Sequence, residues 1–214
     1  MTYAIPSLTR VPATEKGITI ADFLVPVRVG ERVSPRLRHI MLVVAGAVLI
    51  YLTARISFVI PGNPVPYTLQ NLGILVVGGA LGLRRGGLAA LLYVALGVVG
   101  LPFFAEGRGG LAVIWGATGG YLVGFVLAGA LVGRLAELGW DRHFGGAVGA
   151  TLLGTIAIYA VGVPWLAVVT GMSAGQAIAT GLVPFIAVDV AKLLVAAAIF
   201  PAAWWVVGRR PSDR

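Results

Sequence analysis

Six apolar stretches run along this chain, separated by short joints rich in glycine, proline or arginine. They fall roughly at 39–58, 69–83, 86–101, 113–134, 145–168 and 183–207. A run of about 20 apolar residues is long enough to cross a bilayer as a helix. The second and third stretches are short, and only the LRRG step divides them, so they form a tight helical hairpin. Sixteen-residue helices reach about 24 Å at 1.5 Å per residue. They must therefore be buried against neighbours or sit where the protein is pinched.

The joints differ in character. IPGNPVPYTLQN (60–71) holds three prolines in close order and reads as a stiff, extended connector. Gln70 and Asn71 then open the second helix with neutral hydrogen-bonding groups. GLPFFAEGRGG (100–110) starts apolar, which anchors it in the bundle, and ends in glycines flanking Glu106 and Arg108. Gly119 and Gly120 cost about 1 kcal/mol each relative to Ala within a helix. They make sense where another backbone or a ligand comes close. Helix–helix packing is the plainer of those two readings.

Composition agrees with the pattern. The 214 residues are 58% hydrophobic and 11% charged, against roughly 25% charge in ordinary soluble domains. The absence of cysteine removes disulfides and thiol chemistry. His39 and His143 lie beside basic residues at helix ends and read as interfacial side chains. No G-x-x-x-x-G-K-[ST] phosphate loop is present, so any ATP must be hydrolysed by a separate subunit. An intramembrane enzyme needs a second carboxylate, a Ser/His pair or a metal cluster at membrane depth, and the sequence offers none. The expectation is a membrane protein with no catalytic residues, metal or cofactor.

The net charge of +8 comes from clusters between the apolar spans, not from a nucleic-acid-binding surface. Thirteen of the 16 basic residues are Arg10, Lys16, Arg28, Arg32, Arg36, Arg38, Arg84, Arg85, Arg134, Arg142, Arg209, Arg210 and Arg214. The loops at 59–68, 102–112 and 169–182 hold only Arg108. Basic residues collect on the cytoplasmic side, so both termini are expected to be cytoplasmic. Trp115 and Trp165 then lie near the outer ends, and Trp204 and Trp205 near the inner one, as an interfacial aromatic belt. The resulting division is a basic cytoplasmic arm over 1–36, a six-helix domain over 37–208 and a short tail over 209–214. GITIADFLVPVRVG (17–30) within the arm reads either as a short surface helix or as a loosely ordered segment. The arm lacks the apolar run and small-residue cleavage site of a signal peptide.

The last stretch carries the candidate chemistry. Asp189 and Lys192 interrupt VPFIAVDVAKLLVAAAIFPAAWW. Ionisable side chains in hydrocarbon are expensive and mark functional sites. Three residues apart on a helix, the two share one face. They lie in the outer half of the membrane, Asp189 about 8 Å below Pro184 at 1.5 Å per residue. The structural alternative is an ion pair that only ties this helix to a neighbour. Arg55 is expected two turns inside the first helix, either snorkelling to the interface or pairing with Asp189 or Glu106.

PVPYTLQNLG (64–73), GLPFFAEGRGG (100–110), GATGGYLVGF (116–125) and PFIAVDVAK (184–192) together resemble the BioY family. These are the biotin-binding S components of energy-coupling factor (ECF) transporters. The resemblance covers roughly 39–207. It implies an all-α membrane protein of six transmembrane helices that captures biotin outside the cell membrane. It also implies partnership with a transmembrane coupling subunit and two ATPases. The family's ligand-contacting positions carry over onto Asp189, Lys192 and the loop position held by Arg108, which in other members looks like a small polar residue. Gln70 and Tyr121 match motif positions as pocket-lining residues. The Ala-x-x-x-Ala signature for docking the coupling subunit is not evident; Ala45, Gly46 and Ala47 supply small residues out of that register.

The chemistry of biotin suits these residues. A carboxylate takes ureido N–H groups, a lysine donates to the ureido carbonyl, and Arg108 meets the ligand's own carboxylate. Trp115, Tyr121 and Phe104 are candidate aromatic walls. The competing function is a solitary ion-coupled carrier of biotin or a small carboxylate, with Asp189 titrating. A lone carboxylate paired with lysine makes a poor shuttle.

Overall fold

A computed structural model of the protein describes residues 18–24 and 34–208. Most of the arm, with Arg10, Lys16, Arg28 and Arg32, lies outside the described residues, as do Arg209, Arg210 and Arg214. The chain is helical: α1 (Ile20–Leu24), α2 (Pro35–Arg55), α3 (Gln70–Val98), α4 (Leu111–Ile114), α5 (Gly119–Glu137), α6 (Phe144–Thr170), α7 (Ala174–Gly181) and α8 (Ile186–Gly208). Among the described residues, five stretches are long and apolar enough to cross a membrane, α7 and α8 counting together as one.

One of the five is a folded pair. Gly82 inside α3 has φ 84 and ψ 177, a conformation only glycine adopts readily. A Cβ placed on Gly86 would lie 2.8 Å from the Gly78 Cα. In a straight helix the two would be about 12 Å apart at 1.5 Å per residue. The chain therefore reverses at Gly82, as the LRRG step predicts. Glu137 at the end of α5 accepts the Leu83 N–H at 2.9 Å, capping the returning helix. Gly129 of α5 meets both arms of the hairpin, its carbonyl 2.6 Å from a Cβ on Gly78 and 3.0 Å from one on Gly86. Small residues of this kind let membrane helices approach to backbone contact. Gly120 and Gly124 do the same between α5 and α6, against Trp165 and Ile158, while Gly119 lies against the Ile114 carbonyl of the preceding turn, so close packing accounts for the Gly119–Gly120 pair.

Several boundaries move. Ser34 caps α2 by accepting from Leu37 N at 3.3 Å, with Pro35 in the first turn, so the helix starts four residues earlier than its apolar run. It ends at Arg55, because Ser57–Phe58 (β1) pairs antiparallel with Tyr67–Thr68 (β2). The stiff connector is thus a two-stranded ribbon, with Phe58 and Tyr67 rings stacked at 4.9 Å. The helix expected from 113 starts at Gly119, after the separate turn α4. The joint at 169–182 contains α7, closed by a Ser173–Gln176 capping box. Gly46 and Ala47 of α2 are turned inward against the hairpin.

The segment before α2 is docked. Thr19, Ile20 and Ala21 are buried. Asp22 pairs with Arg85 at 2.8 Å and Arg38 at 3.6 Å, and Arg142 donates to the Ile18 carbonyl at 2.9 Å. Burial pushes the Asp22 carboxyl upward, but the Arg85 guanidinium and the Thr19 N–H and hydroxyl hold it below its ordinary value. Nearby, Trp204 donates to Asp141 at 2.6 Å while Arg142 lies 3.5 Å over its ring. Trp204 is therefore a buried clamp on α8 and not an interfacial belt residue. Burial raises the Asp141 carboxyl even though Trp204 and Arg142 oppose it.

Candidate functional site

The end of the bundle away from the Gly82 turn holds a narrow cleft of about 50 Å³, partly open to solvent. The connector, the start of α3, the 100–110 loop, the start of α5, the middle of α6 and the first turns of α8 all contribute to its wall.

Asp189 and Lys192 stand on the inward face of α8, 4% and 7% exposed. Lys192 Nζ lies 2.7 Å from Asp189 Oδ1 and donates to the Thr68 carbonyl at 2.7 Å. Asp189 Oδ2 accepts from Asn71 Nδ2 at 2.7 Å and from the Tyr159 hydroxyl at 2.5 Å. Four elements thus converge on one acid–base pair. An ionised carboxylate offers about four acceptor positions and an ammonium three donors. Three and two of these are used, leaving one of each for a guest. The pair faces both protein and void, not lipid.

All five residues singled out in the sequence line this cavity: Asp189, Lys192, Arg108, Gln70 and Tyr121. Their polar groups point to different tasks. Gln70 donates Nε2 to the Tyr93 hydroxyl at 2.5 Å, joining the two arms of the hairpin. Tyr121 gives its hydroxyl to the Gly181 carbonyl at 2.9 Å, fixing the end of α7. Its ring remains available to the cavity and stands edge-on to Tyr159 at 6.0 Å. Arg108 is half-exposed and pairs with Glu106 at 3.3 Å. Arg108, Val113 and Thr118 also border a shallower cleft extending to Pro64 and Ala117, so Arg108 stands where the cavity meets the outside.

The anchoring of the loop is visible. Phe104 is 2% exposed, edge-on to Tyr93 at 5.8 Å and against Gly97, and it lines the cavity. Phe103 stacks on Tyr51 at 4.6 Å. Trp115 takes no part in the wall; it is 68% exposed and leans on Trp165. Trp115 ends the short turn α4, and residues 116–118 separate it from α5, so it stands outside the long helix. Arg55, the last residue of α2, sits over Gly107. It pairs with neither Asp189 nor Glu106, because Lys192 and Arg108 hold those carboxylates. His39 and His143 are exposed at helix starts. Among the described residues no three His, Cys, Asp or Glu side chains gather as metal ligands.

Asn71, Tyr159 and the Thr68 carbonyl are the partners that sequence reading missed. Asn71 adjoins Gln70, and only the phase of α3 decides which of the two faces α8. Tyr159 carried one available signal, the single tyrosine of an uncharged α6.

A family model described as the BioY family matches residues 26–209. The chain is 42% identical over 140 residues to a biotin transporter BioY of Thermotoga maritima, covering 65% of this chain and 81% of that protein. It is 38% identical over 170 residues to a biotin transporter BioY of Rhodobacter capsulatus, covering 74% and 88%. A probable biotin transporter BioY of Pyrococcus horikoshii is 36% identical over 162 residues, covering 76% and 93%. Among solved structures, the S-component for biotin from an ECF-type ABC transporter superposes with a TM-score of 0.72. It is 27% identical, with 79% of this chain and 92% of that one covered.

Proposed function

The chain belongs to the BioY family, and on that footing we propose that it captures biotin in the cavity beside Asp189 and Lys192. It then delivers the vitamin inward as the membrane-embedded S component of an ATP-driven importer. The observation that carries this is the buried pair, with one donor and one acceptor unused beside a cleft that opens to solvent. One edge of a cyclic urea presents an N–H beside a carbonyl, and an acceptor–donor pair is its complement. Charge-assisted hydrogen bonds in a dry site are about twice as strong as neutral ones. Arg108 at the mouth meets the ligand's carboxylate, and Phe104, Tyr121 and Phe125 enclose the bicycle and its chain.

The topology has six crossings, because the Gly82 reversal splits α3 into two. Arg38, Arg85 and Arg142 gather near the reversal through Asp22 and Ile18, whereas Arg55 and Arg108 lie at the cavity end. By the charge rule the reversal faces the cytoplasm, with both termini, and the cavity opens outward. A coupling subunit and two ATPases supply the drive. Equilibrium dialysis of the detergent-purified protein with labelled biotin tests the reading. Saturable retention without any ATPase is expected; no retention by folded protein overturns it.

A further inference from the structure

Two arginines converge on one carboxylate where the Gly82 reversal meets the start of α2. Arg85 Nη2 lies 2.8 Å from Asp22 Oδ1, and Arg38 Nη2 lies 3.6 Å from the same oxygen. The other oxygen, Oδ2, is turned back on its own segment, accepting from the Thr19 N–H at 3.1 Å and the Thr19 hydroxyl at 2.9 Å. Two guanidinium groups therefore share one acceptor atom. Arg38 lies beyond hydrogen-bond range of it and donates to the Asp22 carbonyl instead, at 3.2 Å.

Both charge and donors are left over. A guanidinium has five N–H donors, and Arg38 Nε and Arg85 Nη1 are buried with no acceptor among the described residues. A buried hydrogen bond left unmade is unfavourable. Glu137, at the same reversal, is already engaged by the Leu83 N–H and by Arg134. Arg36 and Arg84 stand exposed beside the pair in sequence and add charge of the same sign.

A phosphate group fits what remains. It offers several anionic oxygens at once, and arginine engages them through parallel N–H···O bonds. Basic pockets between membrane helices on the cytoplasmic side collect the headgroups of anionic lipids. On the orientation proposed above, this corner lies at that leaflet. We propose that Arg38 and Arg85 form a phosphate site, that Asp22 occupies it as an internal stand-in, and that the phosphate of an anionic lipid displaces Asp22. Segment 18–24 is then docked or released according to the lipid it meets. Its other contacts oppose release: Ile20 is buried in a cluster with Phe200 and Trp204 of α8, and Arg142 holds the Ile18 carbonyl.

The chain has no cysteine, so Ala21→Cys reports docking through its rate of alkylation; Ala21 is 2% exposed in the docked segment. Full-length protein is placed in nanodiscs of phosphatidylcholine, alone or with part of it replaced by phosphatidylglycerol. Alkylation should quicken about fivefold or more with the anionic lipid, the factor one arginine contributes at an anionic surface. Phosphatidylcholine discs given inorganic phosphate, with chloride at equal ionic strength as control, separate the sources. Acceleration by phosphate there upholds the site and makes free phosphate a ligand too. No acceleration by either phosphate source overturns the proposal, as does equal acceleration by chloride, which is screening alone.

Lipid retained in native mass spectrometry is a second readout, independent of the thiol. Asp22→Asn should raise the preference for phosphatidylglycerol over phosphatidylcholine, because the competing acid is gone. Arg38→Gln should remove that preference, and Arg85→Gln should do the same where it folds. A preference that Asp22→Asn leaves unchanged, or that survives Arg38→Gln, refutes the site. Biotin enters neither measurement, so the outcome stands apart from the transport reading.

Discussion

The Tyr159 hydroxyl, on α6, stands 2.5 Å from Asp189 Oδ2, on α8, so the acid is held across a helix interface. Tyr159→Phe removes one of three donors while keeping the ring. We expect biotin affinity to fall about three- to tenfold, matching a net hydrogen bond of about 1 kcal/mol, with the thermal transition in detergent little moved. Equilibrium dialysis and a melting curve check the two halves.

Lys192→Met and Asp189→Ala each break the pair and leave one charge buried. Removing one partner of a buried pair typically costs about 3–5 kcal/mol. Both single variants should therefore lose biotin retention and melt earlier. The double variant should melt later than either single one while still failing to bind, because no uncompensated charge remains. Additive losses in the melting data would contradict the pairing.

Arg108→Ala separates recognition of the ligand's carboxylate from recognition of its ring. Affinity for biotin should drop about tenfold or less, the charge being half-exposed and screened by salt. Affinity for biotin methyl ester should hardly change. Equal losses for acid and ester would remove Arg108 from that role.

Gly82→Ala tests the reversal. A side chain there must adopt φ 84, and its Cβ would come within 2.8 Å of Thr19 and 2.6 Å of Glu137. A loss of at least 1–3 kcal/mol is expected from strain alone, read as a lower melting temperature or lower yield of folded protein. Gly62, also at positive φ but with open space around it, should tolerate Ala better.

Asp22 and Asp141 respond to acid in opposite ways. The folded-state value of Asp22 is depressed, so its contribution is fully present above the unfolded carboxyl value of about 3.9. It is lost as pH falls through the lower folded value. Asp141 is raised, so its buried charge opposes folding near neutrality, and protonation relieves that cost as pH falls through the folded value. Asp22→Asn should lower stability at pH 7 by about 1 kcal/mol or less and flatten the acid limb. Asp141→Asn should leave stability at pH 7 unchanged or raised, if the new amide still accepts from Trp204. Melting curves from pH 3 to pH 7 distinguish them.

Much of this architecture is written in hydropathy. Two charges inside an apolar run announce themselves, which is why Asp189 and Lys192 were visible without coordinates. The hairpin was visible because two short spans leave no room for a loop at LRRG. What hydropathy does not encode is rotational phase. Gln70 and Asn71 differ by about 100° around one helix, and that angle alone sends one amide to Tyr93 and the other to Asp189. Boundaries set by capping were equally hidden, since Ser34 and Pro35 start α2 in a polar stretch. Hydropathy does not place Arg55 and Trp115, because their positions follow from where α2 and α4 stop. The sequence at 18–24 admits both a surface helix and a loose segment; a single aspartate reaching Arg85 and Arg38 decides between them.

Asp189 and Lys192 also sum to zero. A transmembrane voltage does work on net charge, about 2.3 kcal/mol per unit charge per 100 mV, and on the pair as a unit it does none. The resting potential of the cell thus exerts no net pull on the pair itself.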